Sequence, residues 1–141
     1  TSRVVVTFVG GAVSWQSKLQ KCVALSTTEA EFIAVTEACK EVLWLKRFLN
    51  EIGISQDKYE VLCDSQSAIH LSKNSSFHSK SKHIDVRYYW IRDVLERKLL
   101  ELNKVHTDKN ISNMLTKIVT KDKHLFCRSG AGMESFATTY V

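Results

Sequence analysis

From Val4 to Val9 the chain is a β-branched and aromatic run that stops at Gly10-Gly11, and alternation of apolar and polar positions resumes in AVSWQSKL. Runs of this kind on either side of a glycine pair predict a two-stranded hairpin, its second strand continuing through a kink to CVALS. Further on, Ala30, Ala34, Ala38, Val42, Leu45, Leu49 and Ile52 recur at steps of four and three, with Gly53 just past the last. That spacing predicts one apolar stripe along a long helix and a glycine stop.

KYEVLCD then reads as a short buried strand ending at Asp64, and SQSAIHLSKN as a short helix entered through Ser65. Between Lys82 and Lys98 the apolar residues Ile84, Tyr88, Ile91 and Leu95 again step by four and three, predicting a third helix. KLLELNKV alternates as a further strand, ISNMLTKIV reads as a last helix, and a weaker helical pattern follows near KHLFC. Strands and helices in this order imply an α/β domain with a mixed sheet covered by helices.

Composition keeps this to a single domain over residues 1–141: 44% of the residues are hydrophobic, 25% are charged, and no apolar run is long enough to span a bilayer. No membrane partner is expected. The opening TSRVVVTFV carries no charged-then-apolar leader and no initiator Met, so no targeting segment is expected there and the N-terminal boundary reads as a cut one. Cys22, Cys39, Cys63 and Cys127 are far apart and form none of the close pairs that zinc or redox sites need, so they read as packing residues, as do Trp15, Trp44 and Trp90. Proline is absent, so no stiff linker divides the chain.

The net charge of +5 is unevenly placed. Residues 1–25 carry three bases and no acid, residues 73–98 seven bases against three acids, and residues 26–64 eight acids against four bases. Basic flanks around an acidic centre suit a nucleic-acid enzyme that binds metal, although a solvated surface gives the same tally.

The acids of ALSTTEAEF have two readings. Ser26 with Glu29, or Thr28 with Glu31, would each form a capping box, in which the cap oxygen accepts from a first-turn N–H and the Glu reaches back to the cap. Asp64 introduces the second reading. A carboxylate at the C-terminal end of an apolar strand stands where α/β folds place reacting groups, and with an acid from a helix start it can hold a hard cation such as Mg²⁺.

ALSTTEAEFIAVTEACKEVLWLKRFL, VLCDSQSAI, FHSKSKHIDVRYYWIRD and NMLTK together resemble the ribonuclease H domain of copia-type retrotransposon Pol polyproteins, in order and spacing and over nearly the whole chain. The resemblance implies a ribonuclease H-like fold and hydrolysis of the RNA strand of RNA–DNA hybrids. Four carboxylates would hold two Mg²⁺ or Mn²⁺ ions, one generating the attacking hydroxide and the other stabilising the leaving oxygen. It places the helix carboxylate on Glu31 and the strand-end carboxylate on Asp64, as catalytic and metal-binding residues, and leaves Glu29 as the capping acid.

The other two acids of the family pattern are not matched. The first belongs to a central strand that precedes the hairpin, and this chain opens after it; the fourth falls at Asn113, a neutral amide and a degraded catalytic position. Asp108 lies five residues upstream and reads as a helix start. Without its central strand the sheet must leave backbone groups to water, pair them otherwise, or recruit a strand from another chain.

For nucleic-acid contact the resemblance and the basic, aromatic character of residues 77–93 single out Lys80, Lys82, His83 and Arg87, with Gln66 as an amide able to meet the RNA strand. Tyr88 falls on the helix stripe and reads as core, and His106 as a solvated turn residue. The expected partners are an RNA–DNA hybrid or other nucleic acid and the reverse transcriptase region of the same polyprotein, in a cytoplasmic particle or nucleus. The competing expectation is a non-catalytic remnant that binds nucleic acid or makes contacts within the polyprotein. A ligand-binding α/β module ranks below both, for want of a glycine-rich phosphate loop.

Overall fold

The computed structural model describes residues 1–74 and 82–132, with the backbone alone at 82–85. Among them the chain order is β1 (Ser2–Phe8), β2 (Gly11–Lys18), α1 (Thr27–Glu51), β3 (Glu60–Cys63), α2 (Gln66–Lys73), α3 (Lys82–Glu96), β4 (Glu101–Lys104), two 3-10 turns (Thr107–Lys109 and Ile111–Leu115) and α4 (Lys121–Gly130). The mixed α/β class expected from the alternating patterns is the one observed. The strands form two separate pairs: β1 lies antiparallel to β2, and β3 parallel to β4.

The hairpin turns one residue earlier than the glycine pair suggested. Val9 and Gly10 both have positive φ, 52° and 77°, and Gly11 already belongs to β2. Two consecutive positive φ values give the turn whose twist matches paired strands, and the β-branched Val9 adopts it against its own preference. A register shift between Val6 and Thr7 follows, leaving Val13 as the extra residue opposite them. The end of α4 packs on this turn: Ala12 N donates to Ala131 O at 2.8 Å, and a Cβ at Gly132 would lie 2.1 Å from Gly10 O, so position 132 has no room for a side chain.

Ser26 caps α1, its side chain accepting from Glu29 N at 3.1 Å, and the buried Glu29 carboxylate turns back to accept from Leu25 N. The reciprocal bonds are those of a capping box displaced by one residue at the acid's end. The helix stops before Gly53, whose φ of 81° suits only glycine without strain.

The most buried face of α1 is not the alanine stripe. Phe32, Ile33, Val35, Thr36 and Cys39 are buried, the apolar ones in a core shared with residues of α2 and α3, whereas Ala30, Ala34 and Ala38, with Val35 beside them, line the clefts on the side of the strands. A helix between two layers has two apolar flanks, and the small residues mark the one where strands come close. Phe32 is fully buried, stacked on Tyr88 with ring centroids 4.3 Å apart, and Ile91, Val94, Leu100 and Leu102 complete this core. Burial pushes the Cys39 thiol up to about 12, with a smaller contribution from Cys63. Cys63 and Cys127 are also buried and free, while Cys22 is half-buried.

Three expectations are corrected. The second strand does not reach CVALS but ends at Lys18: Leu19, Val23 and Leu25 are 80%, 87% and 79% exposed, and Gln20 fixes the segment instead by donating to Ser2 Oγ and Ala30 O. ISNMLTKIV forms a five-residue 3-10 turn, because the Asn110 side chain accepts from both the backbone N–H and the hydroxyl of Ser112, a local bond that competes with α-helix. The regular helix begins later, at Lys121, capped by Thr120, where the weaker pattern lay. Trp15 and Trp44 are 68% and 62% exposed and are not core residues; Trp44 stacks on Phe48 at the surface.

Candidate metal centre and nucleic-acid interface

Asp64 directly follows the last residue of β3, where the strand hands over to the Ser65 cap of α2. Its side chain is 11% exposed, and its backbone oxygen accepts from Lys104 Nζ on the neighbouring strand. Glu31 lies one residue beyond the first turn of α1 and is half-buried. The two carboxylates, from a strand end and a helix start, line one small cleft of about 80 Å³ together with Thr1, Arg3, Cys63, Asn110 and Ser112. Their fields meet at Cys63: burial pushes its thiol up first of all, and the negative charges of Glu31 and Asp64 add to the rise.

Arg3 was not anticipated as a site residue. Its Nη2 stands 3.8 Å from Asp64 Oδ2, and its Nη1 donates to Thr116 Oγ1 at 3.3 Å, so a guanidinium from β1 serves as the fixed positive charge beside the strand-end acid. The available signal was that Arg3 is the one charged residue in TSRVVVTFV. Asn110 and Ser112 carried no such signal, since they reach the cleft through the 3-10 turns rather than through a helix.

Asn113 is not among the residues lining the cleft. It is 1% exposed, donates through Nδ2 to Thr107 O at 2.7 Å, and leaves Oδ1 without a hydrogen-bond partner. Asp108 caps nothing at the site; it is exposed and paired with Lys123 at 3.1 Å, and Lys123 and then His106 hold its carboxyl below the usual range. His106 is an exposed turn residue, its Nδ1 accepting from Asp108 N.

As to the donor set, two carboxylates and a hydroxyl on one cleft suit a single hard cation that keeps several waters. Among the described residues no group of three or more His, Cys, Asp and Glu side chains comes together as a ligand set. The pair therefore fits one ion, and among the described residues no third carboxylate joins it.

Of the residues expected to meet nucleic acid, Gln66 is exposed at the first position of α2. Arg87 is half-buried, ion-paired with Glu37 at 3.1 Å, and donates to Cys22 Sγ at 3.3 Å, so its charge is engaged within the fold. Lys82 and His83 begin α3, and Lys80 lies outside the described residues. No described helix is long and apolar enough to cross a membrane.

A retrovirus-related Pol polyprotein from transposon TNT 1-94 of Nicotiana tabacum is 60% identical to the chain over 129 residues, 92% of this chain. The chain is a relative of retrotransposon Pol polyproteins. The corresponding polyproteins of transposons RE1 and RE2 from Arabidopsis thaliana are each 36% identical over 110 residues, 77% of this chain. The chain spans about a tenth of the length of these Pol relatives: 10% of the tobacco polyprotein and 8% of each Arabidopsis one. No protein-family model and no solved structure matches it.

Proposed function

We propose that this region of a Pol polyprotein is a ribonuclease H-like domain descended from an enzyme that cleaves the RNA strand of RNA–DNA hybrids. The observation that carries the reading is the shared cleft of Glu31 and Asp64, two acids brought from sequence-distant elements to the C-terminal end of a strand. The resemblance of the surrounding motifs and the kinship with transposon Pol polyproteins support it. A bound divalent ion would activate water and stabilise developing charge on phosphate oxygens. The chain's own contribution is narrower. Glu31 and Asp64 supply anionic oxygens to such an ion, Ser112 a hydroxyl beside them, and Arg3 a cation that neutralises Asp64 or meets a phosphate oxygen.

With Asn113 a buried neutral amide outside the cleft, this region by itself has weak or no cleavage activity. A non-catalytic nucleic-acid-binding role is the second reading, favoured by the neutral amide at Asn113 and by the Arg3–Asp64 pair. The test of the metal site is a Mn²⁺ titration followed by nuclear magnetic resonance. Backbone amide signals near Glu31 and Asp64 should broaden first, and Asp64→Asn should abolish that selectivity. Uniform broadening over the surface acids would remove the metal centre from the account.

Binding to a hybrid duplex should be strongly salt-dependent, since lysines near phosphates release condensed counterions. Lys80→Ala combined with Lys82→Ala is expected to lower affinity for every sequence alike and to reduce the slope of log K against log salt by about 1–2. An unchanged slope in fluorescence anisotropy would make this basic segment a solvated face.

A further inference from the structure

The C-terminal half of α1 leaves one face to solvent. Lys40, Trp44 and Phe48 recur at steps of four along it, and Glu51 follows three residues on, at the last position of the helix. At 3.6 residues per turn these four form one row roughly 16 Å long, with Trp44 about 140° around the helix from Glu31. Trp44 is 62% and Phe48 43% exposed, and their rings stack with centroids 5.6 Å apart and planes 4° apart. Each ring orders the other, so the pair presents apolar area to a partner at small entropic cost.

The two ends of the row carry opposite charge. Lys40 reaches Glu37 at 3.4 Å and lies over the Trp90 ring at 5.8 Å, yet its side chain stays 49% exposed. Glu51, at the other end, is exposed and forms no ion pair among the described residues. The neighbouring charges are engaged or lie at the rim. Glu37 also takes Arg87 at 3.1 Å, Glu41 accepts from Ser14 Oγ at 2.8 Å, and the exposed Arg47 flanks the two rings.

We propose that this face docks a second copy of the chain, the two α1 helices lying antiparallel about a two-fold axis. Such an axis makes every contact occur twice, so it requires one stripe to complement itself. Placed midway between positions 40 and 51, it sets Lys40 opposite Glu51 of the partner subunit at both ends and brings the two ring pairs side by side at the centre. The Lys40 ammonium has three N–H donors and can serve Glu37 and the incoming carboxylate together. Aromatic anchors at the centre with charges around them are the usual distribution of binding energy in an interface. A nucleic acid is a poorer match, because Glu37, Glu41 and Glu51 offset Lys40, Arg47 and Arg87 and leave no net field for a polyanion. One helix face makes a small interface, so the dimer forms and dissociates with concentration. The inference rests on the outer face of α1 and not on the nuclease reading. Loss of metal binding at Glu31 and Asp64 would leave it untouched.

Sedimentation equilibrium over a concentration series at low salt tests it. The parent chain should show a monomer–dimer equilibrium, and Trp44→Ser should weaken it about tenfold or more. Ile118→Ser, at a fully exposed apolar residue outside the row, should leave it unchanged. Lys40→Glu alone sets two acids opposite each other, and Glu51→Lys two bases. Each variant should therefore associate about tenfold or more weakly than the parent while keeping its circular dichroism. An equimolar mixture of the two should associate again, since each supplies at both contacts the charge that the other lacks. A chain carrying both changes should pair with itself as the parent does, which keeps the test decisive if one single variant melts early. A mixture no tighter than its separate components would overturn the inference, as would a parent chain that stays monomeric throughout or a dimer indifferent to Trp44→Ser. A single-stranded oligonucleotide that binds the monomer and is lost with Trp44→Ser would also overturn it, giving the row to nucleic acid.

Discussion

Replacing Phe32 with alanine is expected to remove about 3–5 kcal/mol of stability, the loss associated with emptying a buried aromatic site. Phe32 has no exposed surface, stacks on Tyr88, and sits where α1 meets α2 and α3. A domain of this size has roughly 5–15 kcal/mol to lose, and here the strands form two pairs rather than one continuous sheet, so the variant should be substantially unfolded at 37 °C. Urea denaturation followed by circular dichroism checks this. A midpoint within experimental error of the parent protein would show that the helical layer does not carry the fold.

Asn113→Asp, made alone, is expected to destabilise the protein and to do so more as pH rises. The amide Nδ2 that donates to Thr107 O becomes a second acceptor facing a carbonyl, in a position that is 1% exposed and already holds one unpartnered oxygen. A buried charge without a donor costs about 3 kcal/mol. Burial raises the folded-state pKa of such a carboxyl above its unfolded value of about 3.9. Below that value the acid is protonated in both states and can donate to Thr107 O, so the charge penalty is absent. Between the unfolded and folded pKa values the unfolded state releases its proton first, and stability falls until the folded pKa is passed. Urea midpoints at pH 3.5 and pH 7 should therefore differ in the variant by more than in the parent protein. No pH-dependent difference between the two would mean that position 113 reaches solvent or a cation.

The helices were legible where a long period was reinforced by its ends: Ser26 and Ser65 mark starts through side-chain bonds that only a few residue types make, and Gly53 a stop through a positive φ. The buried face of α1 was less legible, because alanines and large apolar residues share the helix and only packing decides which flank closes over a core. Position 113 shows the limit for the site. A motif aligned it with a carboxylate, but the Asn110 side chain tightens the chain into a 3-10 turn, and this sends Asn113 inward and leaves Ser112 on the cleft. Arg3 shows the opposite case, a lone charge in an apolar strand whose partner, Asp64, is 61 residues away and is supplied only by the tertiary fold. The division of the strands into two pairs was legible only through the resemblance, which implies a central strand ahead of the hairpin; no local pattern encodes it.

The central claim is that Glu31 and Asp64 belong to a ribonuclease H-type metal site, and labelled RNA–DNA hybrid tests it most directly. The protein to assay is this chain extended at its N-terminus by an Asp-bearing β-strand, in Mg²⁺ or Mn²⁺, beside the chain without the extension. The account predicts metal-dependent cleavage of the RNA strand by the extended protein and its loss, by about a hundredfold or more, when Asp64→Asn is added, because the hard ions bind anionic oxygens. An extended protein that melts cooperatively, binds the hybrid and leaves the RNA intact would contradict the claim, as would cleavage that survives the loss of Asp64.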